Sequence, residues 1–215
     1  MSVARTELSR ARHKASTDRA QLDRLLDEVR VGHFAIAADH GPVAIPTMVA
    51  RDGDWVLAHG STGSPWMRLL ASGVATSLAV TAFDGVVVAR SAFESSMLYR
   101  SAVLFGACEQ ITEPDEHRHA LDVMTDAVLP GRTTELRRPT AKELAATLAL
   151  RMPIGEWSLK VSDGWPDDPA EDIAGPAWAG IVRAHISYAA PLPAPDLRDG
   201  IPVPDSLRRL GTRPQ

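Results

Sequence analysis

The sequence predicts a mainly β protein, an antiparallel β-barrel with flanking helices, as a single domain over residues 1–215. Three observations predict it. Six or more short apolar runs recur between about 33 and 188. Turn residues of the hairpin kind separate several of them. Helical stretches with recognisable caps are inserted between the runs rather than alternating with each one, which favours hairpin connections over parallel crossovers.

The first helix is signalled by Asp18 with Gln21, a variant of the capping box, followed by Leu22, Leu25, Leu26 and Val29 on one face. Gly32 stands where a helix C-cap glycine is expected. The period then shortens. HFAIAAD (33–39), PVAIPTMVAR (42–51) and DWVLAHG (54–60) read as a meander turning at 39–42 and at Asp52-Gly53. SPWMRLLAS (64–72) suits a short helix with Ser64 as cap and Pro65 at its first position. VATSLAVTAF (74–83) is a strand, and Asp84-Gly85 predicts a two-residue hairpin turn into VVVARS (86–91).

A strand follows from about Tyr99 to Ile111, with Tyr99, Val103, Phe105 and Ala107 on one face. Thr112 is expected to cap a helix with Pro114 in its first turn and a buried stripe of Ala120, Leu121, Met124, Ala127 and Val128. The capping box Thr140/Glu143 opens a helix through Leu148. Strands near 151–161 and 178–188 complete the set. From Pro191 onward six prolines predict an extended tail over 191–215, suited to wrapping a partner subunit.

Composition excludes several classes. Hydrophobic residues at 45% and charged residues at 23% are ordinary globular values. A net charge of −4 gives no global drive toward nucleic acid. No apolar run approaches the ~20 residues that span a bilayer. The N-terminus lacks the apolar core of a secretory signal, and Cys108 is the single cysteine, so a reducing, cytoplasmic location is expected. Charge is uneven: a basic arm over 1–16 carries Arg5, Arg10, Arg12, His13 and Lys14, and 163–172 carries five acids and no base. Both read as solvated surface. The arm has a second reading, closure over an anionic ligand.

The common catalytic patterns are absent. There is no Walker loop, no GxGxxG after a strand, no HExxH or paired CxxC, and no GxSxG elbow. No metal site is expected. Cys108 reads as core. His117 and His119, two apart on a helix, face different sides and read as solvated rather than chelating. Trp178 reads as core packing.

The informative region is 45–111. The pieces IPT, WVLAHGS, DGVVVARSAF and MLYRSAVLFG, with KELAATLAL further on, resemble in their order and spacing the FMN-binding split barrels related to pyridoxamine 5'-phosphate oxidase, in the branch near the nitroimidazole-resistance proteins. The resemblance covers about residues 10–190. It implies a homodimer with FMN at the subunit interface and a small-molecule substrate. It places Pro46, Thr47 and Met48 beside the flavin ring. His59, Gly60, Ser61, Ser64 and Arg68 would lie near its phosphate, which wants charge-assisted donors. Arg90 and Ser91 would approach the phosphate or ribityl chain, and Tyr99 and Arg100 would reach in, from the other subunit in one arrangement. Relatives often carry Lys or Arg where this chain has Pro65 and Trp66. Each residue also has a plainer role: His59 as a barrel histidine, Arg90 and Arg100 as ion-pair partners, Tyr99 as core, Ser61 and Ser64 as turn and cap, Arg68 as a solvated helix residue, and Pro46, Thr47 and Met48 as plain barrel strand.

Three functions follow. The first is a flavin-dependent oxidoreductase in which the cofactor carries the chemistry and no side chain is nominated as acid or base. The second is a flavin carrier or sensor without turnover. The third is a haem-binding split barrel with His59 as axial ligand. FAD and deazaflavin stand as variants of the first. Oxidation of pyridoxamine phosphate itself is not expected, because the substrate-phosphate signature of that enzyme is missing from the C-terminus.

Overall fold

The structure is a computed structural model that describes residues 5–8, 10–38 and 40–210. In chain order the elements are β1 (Ala15–Ser16), α1 (Arg19–Glu28), β2 (Val31–Ala38), β3 (Gly41–Asp52), β4 (Trp55–Ser61), α2 (Pro65–Ala71), β5 (Ala75–Val88), β6 (Ser96–Ala107), β7 (Glu109–Gln110), α3 (Pro114–Val128), α4 (Ala141–Ala146), β8 (Thr147–Pro153), β9 (Glu156–Ser162), α5 (Ala170–Ile173), β10 (Gly180–Arg183) and α6 (Asp205–Leu210). The strands form one antiparallel sheet in the order β1-β9-β6-β5-β2-β3-β4-β8-β7, with β10 added to β5.

The sheet curls around a single main core. Alternation on each strand sends Phe34 and Ile36 of β2, Leu78 and Val80 of β5, Leu104 of β6 and Leu150 and Met152 of β8 inward, all at most 2% exposed. α1 adds Leu22, Leu25 and Leu26, and α2 adds Met67 and Leu70. A second, smaller cluster lies on the outer face, where Ala50, Leu57 and Ala149 of β3, β4 and β8 are covered by Ala120 and Met124 of α3. This antiparallel barrel with flanking helices is the fold class the periodicity predicts.

Several local expectations are corrected. Asp84-Gly85 is no hairpin turn. It is a bulge inside the fourteen-residue β5, where the register against β6 shifts between Phe83 and Gly85. Gly85 has φ +147°, and an added Cβ would sit 2.3 Å from the Val182 carbonyl oxygen of β10, so glycine serves a close backbone approach. Gly32 is not a C-cap. α1 ends at Glu28 with Val29 as an extended cap residue, and Gly32 is already in β2, where a Cβ would meet Leu78 at 2.6 Å.

Glu113, not Thr112, occupies the N-cap of α3, without a side-chain cap bond. α4 stops at Ala146 because Thr147 begins pairing with Ser61 along β4, and this buries Leu148 in the barrel. The strand predicted near 178–188 shrinks to Gly180–Arg183. The tail is exposed from Pro191 to Val203 but is interrupted by turns at 195–196 and 199–200, and then forms α6, whose Ser206 is 1% exposed. Trp178 is 66% exposed rather than core.

Within the arm at 1–16, residues 1–4 and 9 lie outside the described residues, as do Asp39 of the predicted turn and residues 211–215 of the tail. Arg5 of the arm pairs with Glu156 and lies over the Phe105 ring. The acidic stretch at 163–172 is not all solvated, since the Asp168 side chain is only 1% exposed. Among the described residues no helix is long and apolar enough to cross a membrane.

Candidate cofactor-binding cleft

On β4, Trp55, Leu57 and His59 alternate onto the outer face while Val56 and Ala58 enter the barrel. α3 covers Leu57 but ends at Val128. The chain then takes a 3-10 turn over Arg132–Glu135 before the capping box of Thr140 and Glu143 starts α4. This detour leaves a cleft of about 690 Å³ between the outer sheet face, α3 and the 129–144 segment. Met48 and His59 line it from β3 and β4, Leu121, Met124 and Val128 from α3, and Leu144 from α4. Such a volume and apolar lining are ordinary for a cofactor or small-ligand site.

His59 is the unusual group in that lining. Its Nδ1 is buried without a hydrogen-bond partner, and burial pushes the imidazole pKa down from its usual value. Burial thus favours the neutral ring, and its Nδ1 is left without a protein partner. An orphaned buried polar atom costs on the order of 1–3 kcal/mol. A neutral imidazole in an apolar cleft is the donor type that holds haem iron. Gly60, next on the strand, makes room for α2: a Cβ there would meet Met67 at 2.8 Å.

The structure gathers the sequence-predicted residues into two groups, not one. Pro46, Thr47 and Met48 on β3 pair with β2, and His59, Gly60 and Ser61 on β4 pair with β8, just past the end of the β3–β4 ladder at Val49 and Ala58, so that Met48 and His59 line the same cleft; the turn into α2 follows. The Ser61 hydroxyl accepts the Gly63 N–H at 3.1 Å, and the Ser64 hydroxyl accepts the Met67 N–H at 3.4 Å. Arg68 on α2 is exposed.

The second group lies beyond β2, where β5 and β6 extend past their neighbour. Arg90 is held there by Asp168, through its backbone N–H at 2.8 Å and its guanidinium at 2.9 Å, and Ser91 accepts the Glu94 N–H at 3.2 Å. Arg100 binds Asp84 with two nitrogens, at 2.9 and 2.6 Å, and Glu28 at 2.9 Å. These carboxylates, Asp84 first, raise its pKa further. Tyr99 lies under the Lys160 ammonium at 5.5 Å. In one chain β2 separates the groups.

Other candidates contribute less. Cys108 is buried, and burial pushes its thiol up to about 12, so it is not a nucleophile. His119 meets Asp52 at 2.9 Å on the surface. His117 departs from the solvated reading, since its Nε2 is buried and unpartnered, though it does not line the cleft. A second depression of about 490 Å³ between α1 and α3 is lined by charges that largely neutralise one another, as in the paired contact of Arg51 with Asp27. Among the described residues no group of three or more His, Cys, Asp or Glu could hold a metal ion. The 129–144 wall of the cleft carried no sequence prediction of a site. Its only advance signal is the cluster of Arg132, Arg137 and Arg138 in a stretch without strand periodicity.

Architecture and site together define a split-barrel protein with a cleft on the barrel's outer face. The family described as pyridoxamine 5'-phosphate oxidase matches residues 18–161, and the chain belongs to that family. Among solved structures it is similar to a FAD and haem binding protein from Mycobacterium smegmatis, at 55% identity, TM-score 0.89, covering 92% of this chain and 97% of that one. It is also similar to the flavocytochrome Anf3 from Azotobacter vinelandii, at 31% identity and TM-score 0.89, covering 97% of each chain. A protein assigned to 5-nitroimidazole antibiotic resistance, from Bacteroides thetaiotaomicron, shares the fold at 18% identity and TM-score 0.58, over 68% of this chain and 86% of that one. No curated protein matches the sequence significantly.

Proposed function

We propose that this chain is a flavin- and haem-binding redox protein, with haem in the outer cleft on His59 and flavin at the interface of a homodimer. The observation that carries the haem assignment is the imidazole of His59, its Nδ1 buried and unpartnered, in the lining of a largely apolar cleft with Arg132 and Arg137 at its rim. Flavin rests on family membership and on the two relatives above, whose names include FAD and haem, or flavocytochrome. The first of these names favours FAD over FMN.

Bound flavin supplies hydride acceptance and bound haem single-electron exchange. What the chain supplies is position. β4 fixes the imidazole, burial favours its neutral form, and α3 supplies an apolar wall of Leu121, Met124 and Val128. The homodimer is supported by the separation of the two residue groups within one chain, which a second copy could bring together. It is also supported by an exposed apolar patch on the projecting strands: Val86, Met97 and Val182 are cross-strand neighbours at 42%, 49% and 55% exposure. The single buried Cys108 suits a reducing cytoplasm.

The test is the absorbance spectrum of purified protein before and after addition of haemin and of FAD or FMN, with excess removed. Retained flavin bands together with a sharpened, shifted Soret band are expected. His59→Ala should abolish the Soret shift and leave the flavin bands. Loss of both signals from the wild type refutes the reading, and a Soret shift that survives His59→Ala refutes the ligand assignment.

A further inference from the structure

The same cleft carries a second polar feature at its rim. Arg132 and Arg137 both line it, from the segment between α3 and α4. Arg132 gives one nitrogen to Glu135 at 3.1 Å. Glu135 is itself fixed by Ser206 of α6, whose backbone N–H and hydroxyl donate to it at 3.0 and 2.5 Å. Arg137 is bidentate on Glu143 at 2.9 and 2.6 Å. Glu143 also accepts the Thr140 N–H at 2.7 Å as part of the capping box. Each guanidinium is thus already oriented on a carboxylate, and the Arg137–Glu143 pair is solvent-exposed, at 68% and 49%. Its exposure leaves the Arg137 guanidinium open to a competing carboxylate from solvent.

We infer that Arg132 and Arg137 read the carboxylates of the cleft's ligand, so that the site selects a flat apolar body with an acidic edge. Glu143 holds Arg137 in place until the ligand's carboxylate replaces it. Planar, bidentate contact with a carboxylate is the recognition for which arginine is suited and lysine is not. Ser206 and Glu135 act as positioning residues, since they fix Arg132 without lining the cleft themselves. The inference rests on the cleft being the macrocycle's site, and the experiment separates the two.

Full-length protein is titrated with ferric protoporphyrin IX and, in parallel, with its dimethyl ester, which keeps the macrocycle and iron but lacks both charges. Binding is read from the Soret band and from tryptophan quenching. Wild type should prefer the free acid by roughly tenfold or more. Arg132→Gln with Arg137→Gln should remove that preference while leaving the spectrum of the bound form unchanged. Glu143→Gln, which preserves the capping box, should increase it. Equal affinity of wild type for acid and ester, with the Soret shift present, overturns carboxylate reading and leaves the haem assignment standing. A double variant that keeps the preference does the same. Absence of a Soret shift with either compound overturns both. The wild-type comparison needs no variant, so a misfolded variant does not rescue the proposal.

Discussion

At the scale of single residues, unpaired groups say more than abundant ones. Ion pairs are many among the described residues, such as Arg19 with Asp54 and Arg138 with Asp122, and most are surface contacts worth little each. His59 differs because its nitrogen is desolvated and has no partner. Cys108 is its reactive opposite. With its thiol at about 12, native protein at pH 8 should resist a disulfide exchange reagent, and unfolding in urea should release one reactive thiol per chain; rapid labelling of the native protein would contradict this. Gly85 sets a backbone limit. Gly85→Ala puts a Cβ against the Val182 carbonyl at positive φ and should destabilise the fold by about 2 kcal/mol or more in urea denaturation.

At the scale of elements, caps and latches decide where the chain stops and turns. The Asp18 carboxylate accepts the Ala20 N–H at 2.8 Å at the start of α1. Asp18→Ala should cost about 1 kcal/mol by thermal or urea melting, because α1 supplies three leucines to the core. α6 is held by Glu135. Hydrogen bonds from Ser206, side chain first, and then Arg132, hold that carboxyl down at about 2. Its folded pKa lies below the unfolded value of about 4.3. The contribution is therefore complete above the unfolded value and is lost as pH falls through about 2. Protection factors in α6, corrected for the intrinsic exchange rate, should hold at pH 4.5 and fall toward pH 2, and Ser206→Ala, which deletes the hydroxyl bond to Glu135, should lower them at pH 4.5. Exchange indifferent to Ser206 would place the latch elsewhere.

At the scale of the whole molecule, the projecting β5–β6 ribbon and β10 expose the apolar Val86–Met97–Val182 row, and the loop joining β5 to β6 carries Phe93 at 91% exposure. If a second copy covers it, light scattering should give twice the chain mass, and Met97→Glu should yield monomers that lose flavin but keep the haem Soret band. Monomeric wild type that retains flavin would sink the interfacial assignment. The cleft on His59 lies on the far side of β2 from this ribbon in the sheet order, so the two cofactor signals are separable by mutation.

Much of this was legible in the sequence because it depends on local chemistry and on period. Alternation on β2 to β4, the caps of α1, α2 and α4, and the outward row of Trp55, Leu57 and His59 are all set by residues within a few positions of one another. His59 could be nominated by residue type and strand face, but nothing in its neighbours along the chain says that its nitrogen lacks a partner. Asp84-Gly85 shows the opposite failure: the dipeptide is a good turn locally, yet β6 and β10 flank it and make a bulge the better solution. Tertiary structure alone fixed Arg90 on Asp168 and Arg100 on Asp84 and Glu28, brought the 129–144 segment over the outer sheet face, and joined Ser206 to Glu135. These pairings span from sixteen to about eighty residues of sequence. They are decided by which surfaces remain uncovered once the barrel core has formed, a quantity no local pattern encodes.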